Sequence, residues 1–431
     1  MHVIVLGAGI IGVSTAWHLL NHGHEVTLVD RQDGAGLETS YANAGQISVS
    51  YCEPWANKGA PMKALKWMFS STSPLLLRPR LDPDQWRWCL AFLRECNDKA
   101  FARNVAQLSA LGTYSHRALK TIVAQTGIAY HRLEKGIAHF YCDQAAFDAA
   151  AADARSMEAY GIERRVVSGD ELVNIEPALA SFGSRITGAT YTDTDETGDA
   201  HEFTHNLAWH CQQRGANLVF GHEIEGLEVT DDAARSVHLR ERATRRASQL
   251  HGDAVVVACG SYTPGLLKPL GIHVPIYPGK GYSVTLPLLR QSKAPFVSMI
   301  DDERKIAFTR LGDTLRVAGT IELGGFDLSL HTSLARARCE MLLKRTEEVF
   351  PGVADTRTPE EGGTPSYWCG LRPATPTNVP IIGRVLGIDG LWINAGHGTL
   401  GWTHGAGSGK ALAELISGIM PEMPGFRFFG H

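Results

Sequence analysis

The chain opens on an apolar run, Val3 to Leu20, broken by glycines at positions 7, 9 and 12. The break separates two periodicities. His2 to Leu6 is a continuous apolar stretch of strand length, whereas Ile11 to His22 has helical character and is closed by Gly23. Glu25 to Asp30 (Glu-Val-Thr-Leu-Val-Asp) predicts a second strand. The first thirty residues therefore predict one β-α-β unit, which requires parallel strands and a right-handed crossover. The same grammar returns downstream. His201 to Arg214 reads as a helix followed by a strand at Asn217–Phe220, and Asp253–Ala258 as a buried strand ending in Cys259-Gly260. Leu391–Asn394 reads as a strand, leading through a Gly-rich turn into a helix from Thr403 to Ser417.

A different pattern fills the intervals. Gly136–Cys142, Arg185–Thr192, Tyr277–Leu286, Lys305–Thr309 and Thr314–Gly319 predict short strands of a mixed or antiparallel sheet. Ser333 to Phe350 reads as an amphipathic helix ended by Pro351-Gly352. The expected fold is α/β with mixed α+β character: a Rossmann-like nucleotide-binding domain plus a substrate domain. The first would be discontinuous, residues 1–50, 195–265 and 366–431. The second would take 51–194 and 266–365, with 60–95 as an insertion facing a membrane or an electron acceptor.

Composition narrows the function classes. Of 431 residues, 44% are hydrophobic and 20% charged, an ordinary globular balance. The formal net charge of -4 gives no global field for nucleic acid. The one basic run, Arg240, Arg242, Arg245 and Arg246, reads as a solvated hairpin or loop. Eight scattered cysteines contain no C-x-x-C pair and no metal-ligand spacing, so free, mostly buried thiols and no metal are expected. The apolar N-terminal run lacks the positive n-region of a signal peptide and carries glycines that a strand-turn-helix explains better.

Gly7-Ala8-Gly9-Ile10-Ile11-Gly12 is a G-x-G-x-x-G turn following the strand that ends Val5-Leu6. Gly7 permits the tight turn, Gly9 lets backbone approach a pyrophosphate, and Gly12 lets helix and strand pack closely. The helix N-terminus adds free N–H groups and partial positive charge. Asp30, next to Arg31, ends the following strand, where an acid accepts hydrogen bonds from ribose hydroxyls. The turn does not separate NAD from FAD. Its place at the extreme N-terminus, and the return of βα grammar at the C-terminus, favour FAD lying extended across the domain.

Three further stretches are candidates for the flavin side. Glu38 to Gln46, with Thr39, Ser40, Asn43, Ala44 and Gly45, is a small-residue polar loop that could line a ring system or be an ordinary loop. Asn394 to Thr403 carries Gly396, His397, Gly398, Thr399 and Leu400 from a strand into a helix, whose N-terminus suits the negative charge of a reduced flavin. His397 reads as a packing histidine rather than a base. Arg372, in Cys369-Gly370-Leu371-Arg372-Pro373, could grip a carboxylate bidentately or form a structural salt bridge, and the residues alone leave both open.

In this order the motifs resemble the D-amino acid oxidase superfamily of FAD-dependent oxidoreductases, most closely the small subunit of bacterial D-amino acid dehydrogenases. Val5–Gly12, Leu37–Ser48, Leu65–Phe69, Asp195–Asp199, Pro278–Ser283, Gly370–Pro376 and Gly396–Thr403 carry the resemblance, which spans essentially the whole chain. It implies non-covalent FAD between the two domains. Gly7, Gly9 and Gly12 would hold the pyrophosphate and Asp30 the ribose. Ser40 and Asn43 to Gln46 would line the ring, and Gly398 to Leu400 its pyrimidine edge. Arg372 would bind the substrate carboxylate. Tyr282 could add a hydroxyl to that clamp or be a core-facing strand tyrosine. The implied reaction is oxidative deamination of D-amino acids to 2-oxo acids and ammonia, with hydride passing from Cα to flavin N5 and electrons going on to a quinone-type acceptor.

Met62 to Phe69, Leu75 to Arg78 and Trp86 to Leu93 mix tryptophan, leucine and basic residues, as a peripheral membrane contact or a packed insertion would. The expected location is cytoplasmic, or the cytoplasmic face of the inner membrane. The alternatives on the same fold are a glycine or secondary-amine oxidase and a hydroxyproline-type dehydrogenase. A flavin-binding RNA-modifying factor would need a broader basic face.

Overall fold

Val3, Ile4, Val5 and Leu6 expose no surface, so the first strand, His2–Leu6, needs cover on both faces. A computed structural model, which describes residues 1–62 and 73–431, places it inside a six-stranded sheet. The order is Ile381–Arg384, Leu391–Ala395, Ala254–Val257, His2–Leu6, Glu25–Val29 and Asn217–Val219. All pairings are parallel except the first. Alternation along the strand divides its cover. Val3 and Val5 share a core with the helices Ile10–Asn21, Ala200–Gln213 and Gly401–Ile416. Ile4 and Leu6 share another with Val237 and Leu239 of a three-stranded meander, His222–Thr230, Ala233–Glu241 and Ala247–His251. The arginine run spans the end of Ala233–Glu241 and the exposed turn after it; Arg240 pairs with Glu225 and Arg245 with Glu223.

The second sheet is mixed. Its order is Ser366–Ala374, Tyr277–Pro287, Thr314–Leu323, Ile306–Leu311, Ser298–Asp301, Ile137–Tyr141, Gly188–Thr192 and Arg165–Ser168. Leu75–Leu77 runs parallel to Ile321–Leu323. The helix Ser333–Val349 covers one face, with Leu342 and Leu343 in the same core as Val284, Val317 and Phe308.

Two features depart from the expected division. Ser366–Ala374, assigned to the nucleotide-binding segments, hydrogen-bonds along its length to Tyr277–Pro287, from Tyr277 opposite Ala374 to Thr285 opposite Ser366. Gly370 and Pro373 weaken its strand pattern in sequence; it is the edge strand of its sheet, where proline is tolerated. The helix Asp98–Thr126, assigned with the substrate domain, packs Val105, Leu108 and Leu111 into the core that contains Val3 and Val5. Asn97 caps its start and left-handed Gly127 its end. Glycines on Gly401–Ile416 allow the close contact, since a Cβ at Gly407 would lie 2.5 Å from the Ser115 backbone.

All eight cysteines are free; Cys52, Cys211, Cys339 and Cys369 are buried and the other four half-buried. Among the described residues no helix is long and apolar enough to cross a membrane. Lys63–Phe69, the centre of the expected membrane-facing stretch, lies outside the described residues.

Candidate active site

Between the two sheets lies a cavity of about 1160 Å³. That exceeds the roughly 300–1,000 Å³ of a drug-sized ligand pocket, so a dinucleotide and a small substrate fit together. It reaches from Gly7 and Gly9 to Arg372, and on to a polar wall containing His139 and Lys305.

The turn at the first strand separates two kinds of glycine. A Cβ at Gly12 would lie 1.7 Å from the Gly7 carbonyl oxygen, and one at Gly7, whose φ is +101°, would lie 2.5 Å from the Ala258 oxygen. These two are required by the protein's own packing. A Cβ at Gly9 would meet only the Ser40 hydroxyl, at 3.4 Å. Gly9 lines the cavity, so its bare backbone is open toward a bound group. Val5, Leu6, Ala8 and Gly12 do not line the cavity and serve the packing of the turn. Ile10 and Ile11 do line it, at the start of their helix.

Asp30 closes the turn. Its carboxylate accepts from the Ala8 N–H at 2.6 Å and the Gln32 N–H at 2.8 Å, which leaves lone pairs for ribose hydroxyls. Burial raises its pKa to about 6, against the lowering effect of those two N–H groups. Arg31 binds Glu38 at 2.5 Å and stacks 3.9 Å over the Tyr262 ring, beside the cavity-lining Gly260.

The Glu38–Gln46 loop divides in two. Ser40 accepts from the Ile10 N–H at 3.1 Å, which places it at the phosphate turn rather than with Asn43 to Gln46. Thr39 donates to the Leu371 carbonyl at 2.8 Å, joining the loop to the strand of Arg372. Asn43 accepts from the Gly45 N–H and Gln46 donates to Ser298 at 2.8 Å, so side chains of the loop hold its own shape. Asn43, Ala44, Gly45 and Gln46 all line the cavity.

On the opposite side Gly396, Gly398, Thr399 and Leu400 line the cavity just before the helix Gly401–Ile416. His397 is buried, and neither ring nitrogen has a hydrogen-bond partner. Burial, then repulsion from His404, pushes its pKa well below the ordinary value, so the ring is neutral. An open glycine, a cavity-lining acid with lone pairs to spare, and an unpartnered imidazole just before a helix N-terminus fit a flavin dinucleotide.

Arg372 decides the question its sequence left open. Its Nη1 donates to the Thr320 carbonyl at 2.8 Å, and among the described residues no carboxylate pairs with it. Burial alone lowers its pKa, to about 10, so it stays a cation at neutral pH. It lines the cavity. Tyr282 also lies at the cavity wall, but its hydroxyl donates to Glu322 at 2.7 Å. Its proton is committed, and the remaining lone pairs would repel a substrate carboxylate.

Sequence reasoning missed the polar wall. Asp302 binds Lys305 at 2.8 Å and His139 at 3.4 Å, and the Tyr51 ring lies 4.6 Å from His139. Arg164 pairs with Glu53 at 2.6 Å. Burial works to raise the Asp302 pKa, but His139 and Lys305 hold it below the usual range. Lys305 and His139 fall in two separate predicted strands; only the pairing of Ser298–Asp301 with Ile137–Tyr141 brings Asp302 and Lys305 beside His139.

Residues 2–415 match the family model described as FAD dependent oxidoreductase. The chain is 46% identical over 428 residues to a D-amino acid dehydrogenase of Dechloromonas aromatica (strain RCB), covering 99% of both chains. It is 43% identical to another from Methylobacterium radiotolerans, covering 98% of this chain and 97% of that one. Among solved structures it is similar to glycine oxidase from Bacillus cereus ATCC 14579, with TM-score 0.71, 22% identity and coverage of 97% and 98%. L-proline dehydrogenase from P. horikoshii has TM-score 0.71 at 18% identity, covering 98% of this chain and 95% of that one.

Proposed function

The chain belongs to the FAD dependent oxidoreductase family, and on that premise we propose that it oxidises D-amino acids to 2-oxo acids and ammonia. Two relatives that match over almost their whole length, at 46% and 43% identity, are D-amino acid dehydrogenases. The observation that carries the reading is Arg372, a cavity-lining cation with no carboxylate of its own. An amino acid brings that carboxylate. In a buried site the charged pair is stronger than in water, and the planar guanidinium fixes orientation as well as position. FAD, when bound, supplies the two-electron acceptor for oxidising the C–N bond. Gly9 and Asp30 would hold its pyrophosphate and ribose, while Asn43 to Gln46 and Gly398 to Leu400 would hold its ring. Neutral His397 adds no charge to oppose an anion there. The imino acid formed is hydrolysed on release.

The electrons go to a quinone-type acceptor, at the cytoplasmic face of the inner membrane. Support comes from the helix Pro83–Glu95, which buries Gln85 and Trp88 but exposes Trp86, Leu90 and Leu93 by 45%, 57% and 51%. Trp86 and Leu93 also line the cavity, so the exposed apolar face adjoins its contents. Residues 1–50 and 195–265 with the C-terminal segment from Ile381 would hold the cofactor, and the mixed sheet would hold the substrate.

The test is anaerobic bleaching of the flavin by D- and L-amino acid panels, with the wild type and Arg372→Ala compared. D-amino acids should bleach it. The variant should keep its FAD and lose substrate affinity by roughly tenfold or more, since charge-assisted hydrogen bonds contribute about 1.5–3 kcal/mol. Bleaching by L-amino acids alone, or unchanged affinity in the variant, would overturn the reading. On admitting air, slow peroxide formation beside fast dye reduction is expected; rapid stoichiometric peroxide would make it an oxidase.

A further inference from the structure

Arg372 does not hold its position unaided. The strands Tyr277–Pro287 and Thr314–Leu323 pair Lys280 with Glu322 but Tyr282 with Gly319. Between those pairs the single residue Gly281 faces two, Thr320 and Ile321, which is a β-bulge. Thr320 sits in the left-handed region at φ +57°, an outlier for a β-branched residue. This conformation accompanies a carbonyl that accepts from Arg372 Nη1 at 2.8 Å. On the opposite side of the bulge, a Cβ at Gly281 would lie 2.5 Å from Arg372 Cζ and within 2.7 Å of both terminal nitrogens. Gly281 therefore leaves the space that the guanidinium fills.

We infer that Gly281 and Thr320 are positioning residues for Arg372, forming with it a three-residue carboxylate clamp. Two constraints act on one side chain. The missing Cβ at Gly281 lets the guanidinium lie flat on the sheet, and the bulged carbonyl of Thr320 takes one N–H. The other N–H groups have no partner among the described residues and remain for a carboxylate. Strained non-glycine backbone persists where the surroundings over-determine it, and functional sites are where it gathers. Thr320 acts through its carbonyl; its own hydroxyl is buried with no partner. This inference rests on the proposed role of Arg372 as the carboxylate grip.

The experiment measures the apparent dissociation constant of D-alanine from anaerobic flavin reduction in Gly281→Ala, Arg372→Ala, the double variant and Thr320→Pro, the last with and without Arg372→Ala. Gly281→Ala should weaken binding by roughly tenfold, as loss of a charge-assisted pair would. In the Arg372→Ala background, the same substitution should change binding by less than about twofold, because interacting sites are non-additive. Additive losses, or normal affinity in Gly281→Ala, would overturn the clamp while leaving Arg372 as the carboxylate grip. Unchanged affinity in Arg372→Ala would overturn both. Should Gly281→Ala purify without FAD, the double variant should regain it, since the methyl then meets no guanidinium; no recovery would overturn the inference. Proline fixes φ near about −65°, so Thr320→Pro turns the bulged carbonyl away from Arg372 and should weaken binding by roughly tenfold, but by less than about twofold in the Arg372→Ala background. Equal losses in both backgrounds would overturn the role of Thr320.

Discussion

The two ends of the cavity are built on opposite principles. At the phosphate turn the constraint is steric, local at Gly12, which faces the Gly7 carbonyl, and supplied at Gly7 by the neighbouring strand's Ala258. Gly7 and Gly12 lie five residues apart, and each excludes a side chain because the backbone around it has no room. At the carboxylate clamp the constraint is non-local, a missing Cβ at Gly281 together with a hydrogen bond to the Thr320 carbonyl. Gly281, Thr320 and Arg372 come from three neighbouring strands, and a one-residue irregularity in register brings them together. The first arrangement can be written as a motif. The second exists only once the sheet has formed.

The largest effect should come from separating the two jobs of the glycine turn. Gly12→Ala puts a methyl 1.7 Å from a backbone oxygen, with no flexible side chain to yield. Overpacking of this kind should destabilise the fold by about 3 kcal/mol or more. Gly9→Val should instead fold normally and fail to bind FAD, because its added atoms enter the cavity. Melting temperatures of the two apoproteins, with FAD titration of each, check the contrast. Equal stability losses would show that Gly9 is also a packing glycine.

That contrast explains what was legible. The β-α-β opening could be read because Val3 to Leu6, Gly7 to Gly12 and Asp30 obey short-range rules of periodicity and turn sterics. The flavin-side loops could be located from their glycines and small residues. Arg372 could be singled out, but not its state, because the absence of a carboxylate partner depends on the whole sheet. The contact of Ser40 with the Ile10 N–H is not legible from its loop, since it spans thirty residues. The helix Asp98–Thr126 escaped notice, although glycines far downstream make its packing possible. Asp302, Lys305 and His139 carry no local signal, because their grouping depends on which strands pair.

A second, smaller effect tests the cofactor end electrostatically. Burial raises the Asp30 pKa from 3.8 to about 6 in the folded apoprotein. Between those values the folded state holds a proton that the unfolded chain has released. Its contribution to stability is therefore complete below pH 3.8 and is lost as pH rises through about 6. FAD responds in the opposite sense, since ribose hydroxyls donate best to the ionised carboxylate. Its affinity should weaken as pH falls below about 6, approaching roughly tenfold per unit. Titrating the apoprotein with FAD from acid to neutral pH should show this slope, and Asp30→Asn should flatten it. A slope that survives in Asp30→Asn would move the titrating group elsewhere.

The smallest expected effect on binding sharpens the other end. Tyr282 and Arg372 both line the cavity, and only their hydrogen bonds distinguish a positioned tyrosine from a substrate contact. The Tyr282 hydroxyl donates to Glu322 Oε2, while Glu322 Oε1 takes Arg78 at 3.0 Å. Tyr282→Phe removes one of two partners from a buried carboxylate and should lower stability by about 1–3 kcal/mol. A hydroxyl whose proton is already given to a carboxylate has none for a substrate. The dissociation constant for D-alanine should therefore stay within about twofold of wild type, far from the roughly tenfold loss expected of Arg372→Ala. Thermal melts and anaerobic flavin reduction on the same preparation measure the two effects separately. A tenfold loss of affinity without loss of stability would make Tyr282 a substrate contact and place Glu322 behind it as the group that orients it.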